Sequence, residues 1–321
     1  MSHYPLSAEL AAFVQRTLSY TSADSSLKGL RDSYERMCRD FTPPHPPGLA
    51  VHQRQLAQVP LRFYHPDRVV PECGWPWLLY LHGGGWVLGG LDSHDFITAH
   101  LAHELQALVI AVDYRLAPEH PFPAAFDDCL AVWRALEQGL GPVPLDHRRR
   151  LVMGDSAGGN LAAALCLALR DAAEPLPAAQ VLVYPGLGGA ASLPSRSQCG
   201  DAPLLSSSDL ECFQTLYLPE PEPTSPYARP LLAEDFSHLP PAFIAQAEFD
   251  PLRDDGQCYH QRLLQAGVAS QLYPGLGLVH GCLRARGLAA EVDGLYDALL
   301  RALREFLEPT RALPLVSQLE P

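Results

Sequence analysis

From residue 77 onward the chain alternates short apolar runs with longer segments of helical length, and this alternation restricts the fold more than any other feature. Strand-like runs fall at about 77–81, 108–112, 150–153, 180–184, 242–247 and 270–273. Helix-length segments lie near 94–106, 124–138, 157–170 and 253–266, and another follows at 287–307. Strands that alternate with helices call for parallel pairing, because the crossover is the helix itself and the helices then cover both faces. Two earlier strand-like runs, at about 50–57 and 60–64, have no helix between them, which predicts an antiparallel edge. The expectation is an α/β fold with an eight-stranded, mostly parallel sheet flanked by helices. At 321 residues and 47% apolar composition the chain can fill one large core.

Ahead of the sheet, Leu6, Leu10, Val14 and Leu18 recur at helical spacing, as do Leu27, Leu30, Tyr34 and Cys38. Two amphipathic helices are therefore expected, cut off by the stiff connector "PPHPPG" at 43–48. Residues 1–48 form an N-terminal helical segment in this reading, and 49–321 form the main domain. The proline-rich stretch at about 185–230, with "LPEPEPTSP", reads as an insertion in it.

Charge and composition exclude several classes of function. The net charge of −13 would repel phosphate, so no nucleic-acid partner is expected. No apolar run reaches spanning length, so no membrane insertion is expected, and "MSHYPLSAEL" lacks a signal-peptide pattern, which makes the cytoplasm the expected compartment. The eight cysteines are scattered without a CxxC pair and read mostly as small core residues. "HELQ" at 103–106 does not continue to HExxH, and the sequence points to no metal and no cofactor.

Chemistry enters at "GDSAGGN", residues 154–160, which stands between the strand-like "RRRLVM" and the helix-like "LAAALCLALR". Gly154, Ser156 and Gly158 satisfy GxSxG, in which small residues allow a sharp strand-to-helix turn with the serine hydroxyl at its tip. The helix that starts there aims its N-terminal dipole and the Ala157 N–H at the same spot. "LHGGGWVLGG" at 81–90 follows the apolar "WPWLLY", and its consecutive glycines leave backbone N–H groups uncovered. With no lysine after it and no GxGxxG spacing, it reads as an oxyanion loop rather than a phosphate cradle.

"HGGG" at 82–85, "DYRLAPEHPFPAAFDD" at 113–128, "GDSAGG" at 154–159 and "EFDPLRDDG" at 248–256, in that order, resemble the hormone-sensitive-lipase-like branch of the α/β-hydrolases, the bacterial family IV esterases. The resemblance covers roughly residues 50–300. It implies the α/β-hydrolase fold with a helical cap made by the N-terminal helices and the insertion. Two departures stand out: Cys282 follows the HG pair where relatives have an aromatic residue, and "YPGLGG" at 184–189 lacks their acidic residue.

The triad can also be sought from the residues themselves. Chain order in this fold is serine, acid, histidine. After Ser156 come His238, His260 and His280; His260 falls inside a helix-like segment, while His280 sits in the glycine-rich loop "GLGLVHGC". Asp250 stands at the end of the strand-like "AFIAQAEF", with Glu248, Asp254 and Asp255 as nearby alternatives; the last two are expected to cap the next helix. Chain order, strand-end position and the resemblance together select Ser156, Asp250 and His280. The resemblance further implies Gly83, Gly84 and Ala157 as oxyanion donors, a small-molecule ester of short to medium acyl chain as substrate, and often a homodimer. An amidase, lactonase or acyltransferase would use the same residues, and relatives that have become non-catalytic receptors typically lack the histidine present here.

Overall fold

The N-terminal helices start where the sequence supplies a hydroxyl. Ser7 caps α1 (Ala8–Leu18) by accepting from the Leu10 N–H, and Ser26 caps α2 (Leu27–Phe41) by accepting from the Gly29 N–H. Six of the eight expected positions face inward: Leu10, Val14 and Cys38 are buried, and Leu6, Leu27 and Tyr34 pack half-buried against the core. α1 buries Leu10, Phe13, Val14 and Thr17, and α2 buries Gly29, Ser33, Met37 and Cys38, whereas Leu18 and Leu30 stay 50% and 43% exposed. The Phe13 ring packs edge-on against Phe41 at 5.1 Å.

In the computed structural model, which describes residues 4–219 and 225–308, strands β1 (Leu49–Leu56), β2 (Val59–Pro66) and β3 (Trp75–Leu81) follow. Then come α3 (Asp95–Leu105), β4 (Leu108–Val112), α4 (Ala124–Glu137), β5 (Leu145–Asp155), α5 (Ala157–Asp171) and β6 (Ala179–Val183). The insertion holds α6 (Pro194–Gln198) and α7 (Ser207–Tyr217), and β7 (Ala242–Ala245), α8 (Arg253–Gln265), β8 (Ser270–Tyr273) and α9 (Ala290–Leu307) complete the fold. Most of "LPEPEPTSP", and residues 309–321, lie outside the described residues.

Among the described residues eight strands form one sheet in the order β1-β2-β4-β3-β5-β6-β7-β8. β2 pairs antiparallel with both β1 and β4, and all other pairs are parallel. The order explains the sequence of β3. Flanked by strands and covered on both faces, it buries all seven residues and reads as a continuous apolar run. Trp75, Trp77, Leu79 and Leu81 join α4 and α5 on one face, while Leu78 and Tyr80 join α3 and α9 on the other, as the two-residue period of a strand dictates. β4 lies on one side of β3 and β5 on the other, so the connections diverge there and open a crevice at the carboxyl ends of β3 and β5. Leu81 and Gly154, paired across that edge, deliver "HGGG" and "GDSAGG" to one place.

Candidate active site

Ser156 is the joint between β5 and α5, with φ 54° and ψ −117°. No helix or strand uses that combination, and it costs energy for any residue with a Cβ. Close packing enforces it. A Cβ on Gly158 would stand 1.9 Å from the Leu81 carbonyl oxygen, and one on Gly154 would stand 2.2 Å from the Gly158 carbonyl oxygen. Since backbone cannot yield as a side chain can, Gly158→Ala is expected to destabilise the protein by about 3 kcal/mol or more, read as a lower denaturant midpoint. A midpoint equal to the parent's would show that the elbow relaxes freely.

The three residues selected from the sequence meet at this turn. His280 Nε2 lies 2.9 Å from Ser156 Oγ, and His280 Nδ1 lies 2.7 Å from Asp250 Oδ2. Asp250 is fully buried, and its other oxygen accepts from the Leu252 N–H at 2.7 Å. The histidine loop is fixed from below: Glu248 accepts from the Gly277 N–H at 2.6 Å, and the Phe249 N–H donates to the Leu278 carbonyl. The Tyr184 ring packs 4.5 Å from the imidazole. His260 is elsewhere, facing Ser270 Oγ at 2.8 Å, and His238 occupies a loop position with φ 60°.

The glycine loop differs from the expected arrangement by one residue. The Gly83 N–H donates to Asp155 Oδ1 at 3.1 Å and is taken up by that bond. The N–H groups of Gly84, Gly85 and Ala157 have no acceptor among the described residues, and these three residues line the cavity that holds Ser156. The N–H left free beside that of Gly84 is therefore the one of Gly85, and the Gly83 N–H expected from the sequence is engaged by Asp155. Asp155 causes the shift. It also accepts from Tyr80 Oη at 2.7 Å and faces His94 Nε2 at 3.3 Å. Burial pushes its pKa up, but His94 and these hydrogen bonds outweigh burial and hold it at about 2. A carboxylate adjacent to the serine therefore ties the elbow to the loop opposite. His82 stacks on Tyr114 at 4.2 Å, and Tyr114 Oη donates to the His82 carbonyl, which anchors the start of the same loop. Burial, with His94 nearby, lowers the His82 pKa to about 3, so it stays neutral.

Asp254 and Asp255 do not cap α8, whose N-cap is Leu252 without a side-chain bond. They reach across to the insertion instead: Asp255 accepts from the N–H groups of Leu187 and Gly189 and pairs with Arg196, and Asp254 accepts from the Ser195 N–H. Asn160 adds a third tie, donating to the carbonyls of Gly186 and Ala228 at 2.8 and 3.0 Å. With the insertion so fastened, Leu205 and Phe213 from it and Leu18 and Met37 from the N-terminal helices wall a cavity of about 250 Å³ over Ser156 and His280.

Residues 78–284 match the family model described as α/β hydrolase fold. The chain is 39% identical to the carboxylesterase NlhH of Mycobacterium tuberculosis over 300 residues, covering 89% of this chain and 92% of that protein. It is 39% identical to the ethyl acetate hydrolase of Pseudomonas putida over 261 residues, 81% of this chain and 82% of the other. The crystal structure of an esterase from the bacterial hormone-sensitive lipase family superposes with a TM-score of 0.84 at 28% identity, over 96% of this chain and 100% of that one. No helix among the described residues is long and apolar enough to cross a membrane. On fold, sequence and structural likeness together, the chain belongs to the α/β-hydrolase family, in its hormone-sensitive-lipase-like esterase branch.

Proposed function

We propose that this carboxylic ester hydrolase works through an acyl-enzyme on Ser156. The observation that carries the mechanism is the continuous chain from Ser156 Oγ through His280 to the buried Asp250, at 2.9 and 2.7 Å. His280 Nε2 takes the serine proton as Oγ attacks the acyl carbon, then returns it to the departing alcohol. Asp250 holds the proton on Nδ1 and stabilises the imidazolium formed in between. The N–H groups of Gly84, Gly85 and Ala157 receive the charge that develops on the carbonyl oxygen; one such donor is typically worth about 3 to 4 kcal/mol in the transition state. Water repeats the sequence on the acyl-enzyme and releases the acid.

The helices of residues 1–48 and the insertion at about 185–230 act in this reading as a cap that sets chain length. The walled cavity of about 250 Å³ supports small acyl groups. Each buried methylene adds about 0.8 kcal/mol of binding only while apolar space remains. The test is a series of 4-nitrophenyl esters from acetyl to palmitoyl: kcat/KM should peak at hexanoyl or shorter, and a peak beyond dodecanoyl would overturn the assignment of chain length.

A further inference from the structure

We propose that the cavity over Ser156 receives esters that also carry a carboxylate, recognised by Arg229 and Arg284. This rests on the esterase reading and adds a substrate class to it. Both arginines line the cavity. Arg229 stands at the end of the insertion, with its stem against Gly188, where an added Cβ would meet Arg229 Cβ at 2.4 Å. Arg284 lies four residues after His280, and its terminal nitrogen Nη2 sits 3.2 Å from the point a Cβ on Gly281 would occupy.

Neither guanidinium makes a hydrogen bond or ion pair with any described residue. Arg284 has a buried Nε without a partner and one ring neighbour, Tyr34, 5.8 Å from its guanidinium carbon. The carboxylates lining the cavity are Asp155 and Asp255. Both are already engaged, Asp155 by Tyr80, Gly83 and His94, and Asp255 by Arg196 and two backbone N–H groups. Both guanidinium groups thus lack a paired carboxylate in a largely apolar cavity, Asp155 acting on Arg284 only from beyond ion-pair distance, in a chain whose net charge is −13. Arginine cannot release its proton, so a partly buried guanidinium is relieved only by an anion or a set of acceptors. A carboxylate matches its planar fork. The acidic exterior does not cancel this, because charges more than about 8 to 10 Å away are screened at ordinary salt.

The experiment compares matched pairs of esters on the full chain. Mono-4-nitrophenyl glutarate against 4-nitrophenyl pentanoate places the carboxylate on the acyl side. 4-Carboxyphenyl butyrate against its methyl ester places it on the alcohol side. The readout is the ratio of kcat/KM, anionic over neutral, which cancels any loss of folded enzyme. The ratio should exceed one in one arm and identify the side that Arg229 and Arg284 serve. It should fall about tenfold or more in Arg284→Met and further in the double variant with Arg229→Met, mainly through KM, while Arg284→Lys keeps most of it. A ratio at or below one in both arms, or one unchanged in the double variant, overturns the proposal and leaves the esterase reading standing if the neutral esters are cleaved. Failure to cleave any of the four overturns both.

Discussion

Ser156→Ala is expected to lower kcat on a short-chain 4-nitrophenyl ester by about 10⁴- to 10⁶-fold, with the fold intact. In the proposed mechanism the variant removes the nucleophile, while His280, Asp250 and the N–H groups of Gly84, Gly85 and Ala157 stay in place. Residual catalysis then comes from water attacking a carbonyl polarised by those donors. Stability should change little. Alanine meets the φ of 54° with the same Cβ as serine, and the bond lost is the one from Oγ to His280 at 2.9 Å on a partly exposed atom. Thermal unfolding followed beside the kinetics separates the two effects. A well-folded Ser156→Ala that cleaves the ester at the parent rate would remove Ser156 from the mechanism, and with it the acyl-enzyme.

The positions of most elements were legible because they follow from periodicity that local sequence carries in full. "WPWLLYL" is apolar at every place because β3 is buried on both faces, and Ser156 is recognisable because a sharp turn at a strand end needs glycines on either side of it. What was not legible depends on contacts between distant segments. Which glycine N–H faces the cavity is settled by Asp155, 72 residues further on, which claims Gly83 and leaves Gly85. Asp254 and Asp255 have the local appearance of helix caps, and nothing near them in sequence says that the backbone of residues 187–195 needs acceptors more. The exposure of Leu18 and Leu30 has the same origin, since a helix shows its apolar positions but not which of them its neighbour will cover. Unpaired arginines are harder still to foresee: Arg196 finds Asp255 and Arg284 finds no carboxylate, a difference made entirely by tertiary placement.

Asp250→Asn is expected to lower kcat by about 10⁴-fold while KM for a short ester moves little. In the parent both carboxylate oxygens accept, one from His280 Nδ1 and the other from the Leu252 N–H, each at 2.7 Å. An asparagine has a single acceptor for these two places. If its oxygen keeps the Leu252 N–H, its amide nitrogen donates toward His280 Nδ1, which must then be unprotonated. The ring proton moves to Nε2, the nitrogen facing Ser156, and the imidazole can no longer take the serine proton. If the amide turns the other way, the tautomer survives, but two N–H groups oppose each other at a fully buried site and the imidazolium loses its counter-charge. Either orientation impairs proton transfer and leaves the cavity walls untouched, so the loss belongs in kcat. The control is Glu248→Gln, which keeps an acceptor for the Gly277 N–H and should stay within about tenfold of the parent. Were Glu248→Gln the more damaging of the two, the acid would be Glu248, and the short contact from Asp250 to His280 would be structural only.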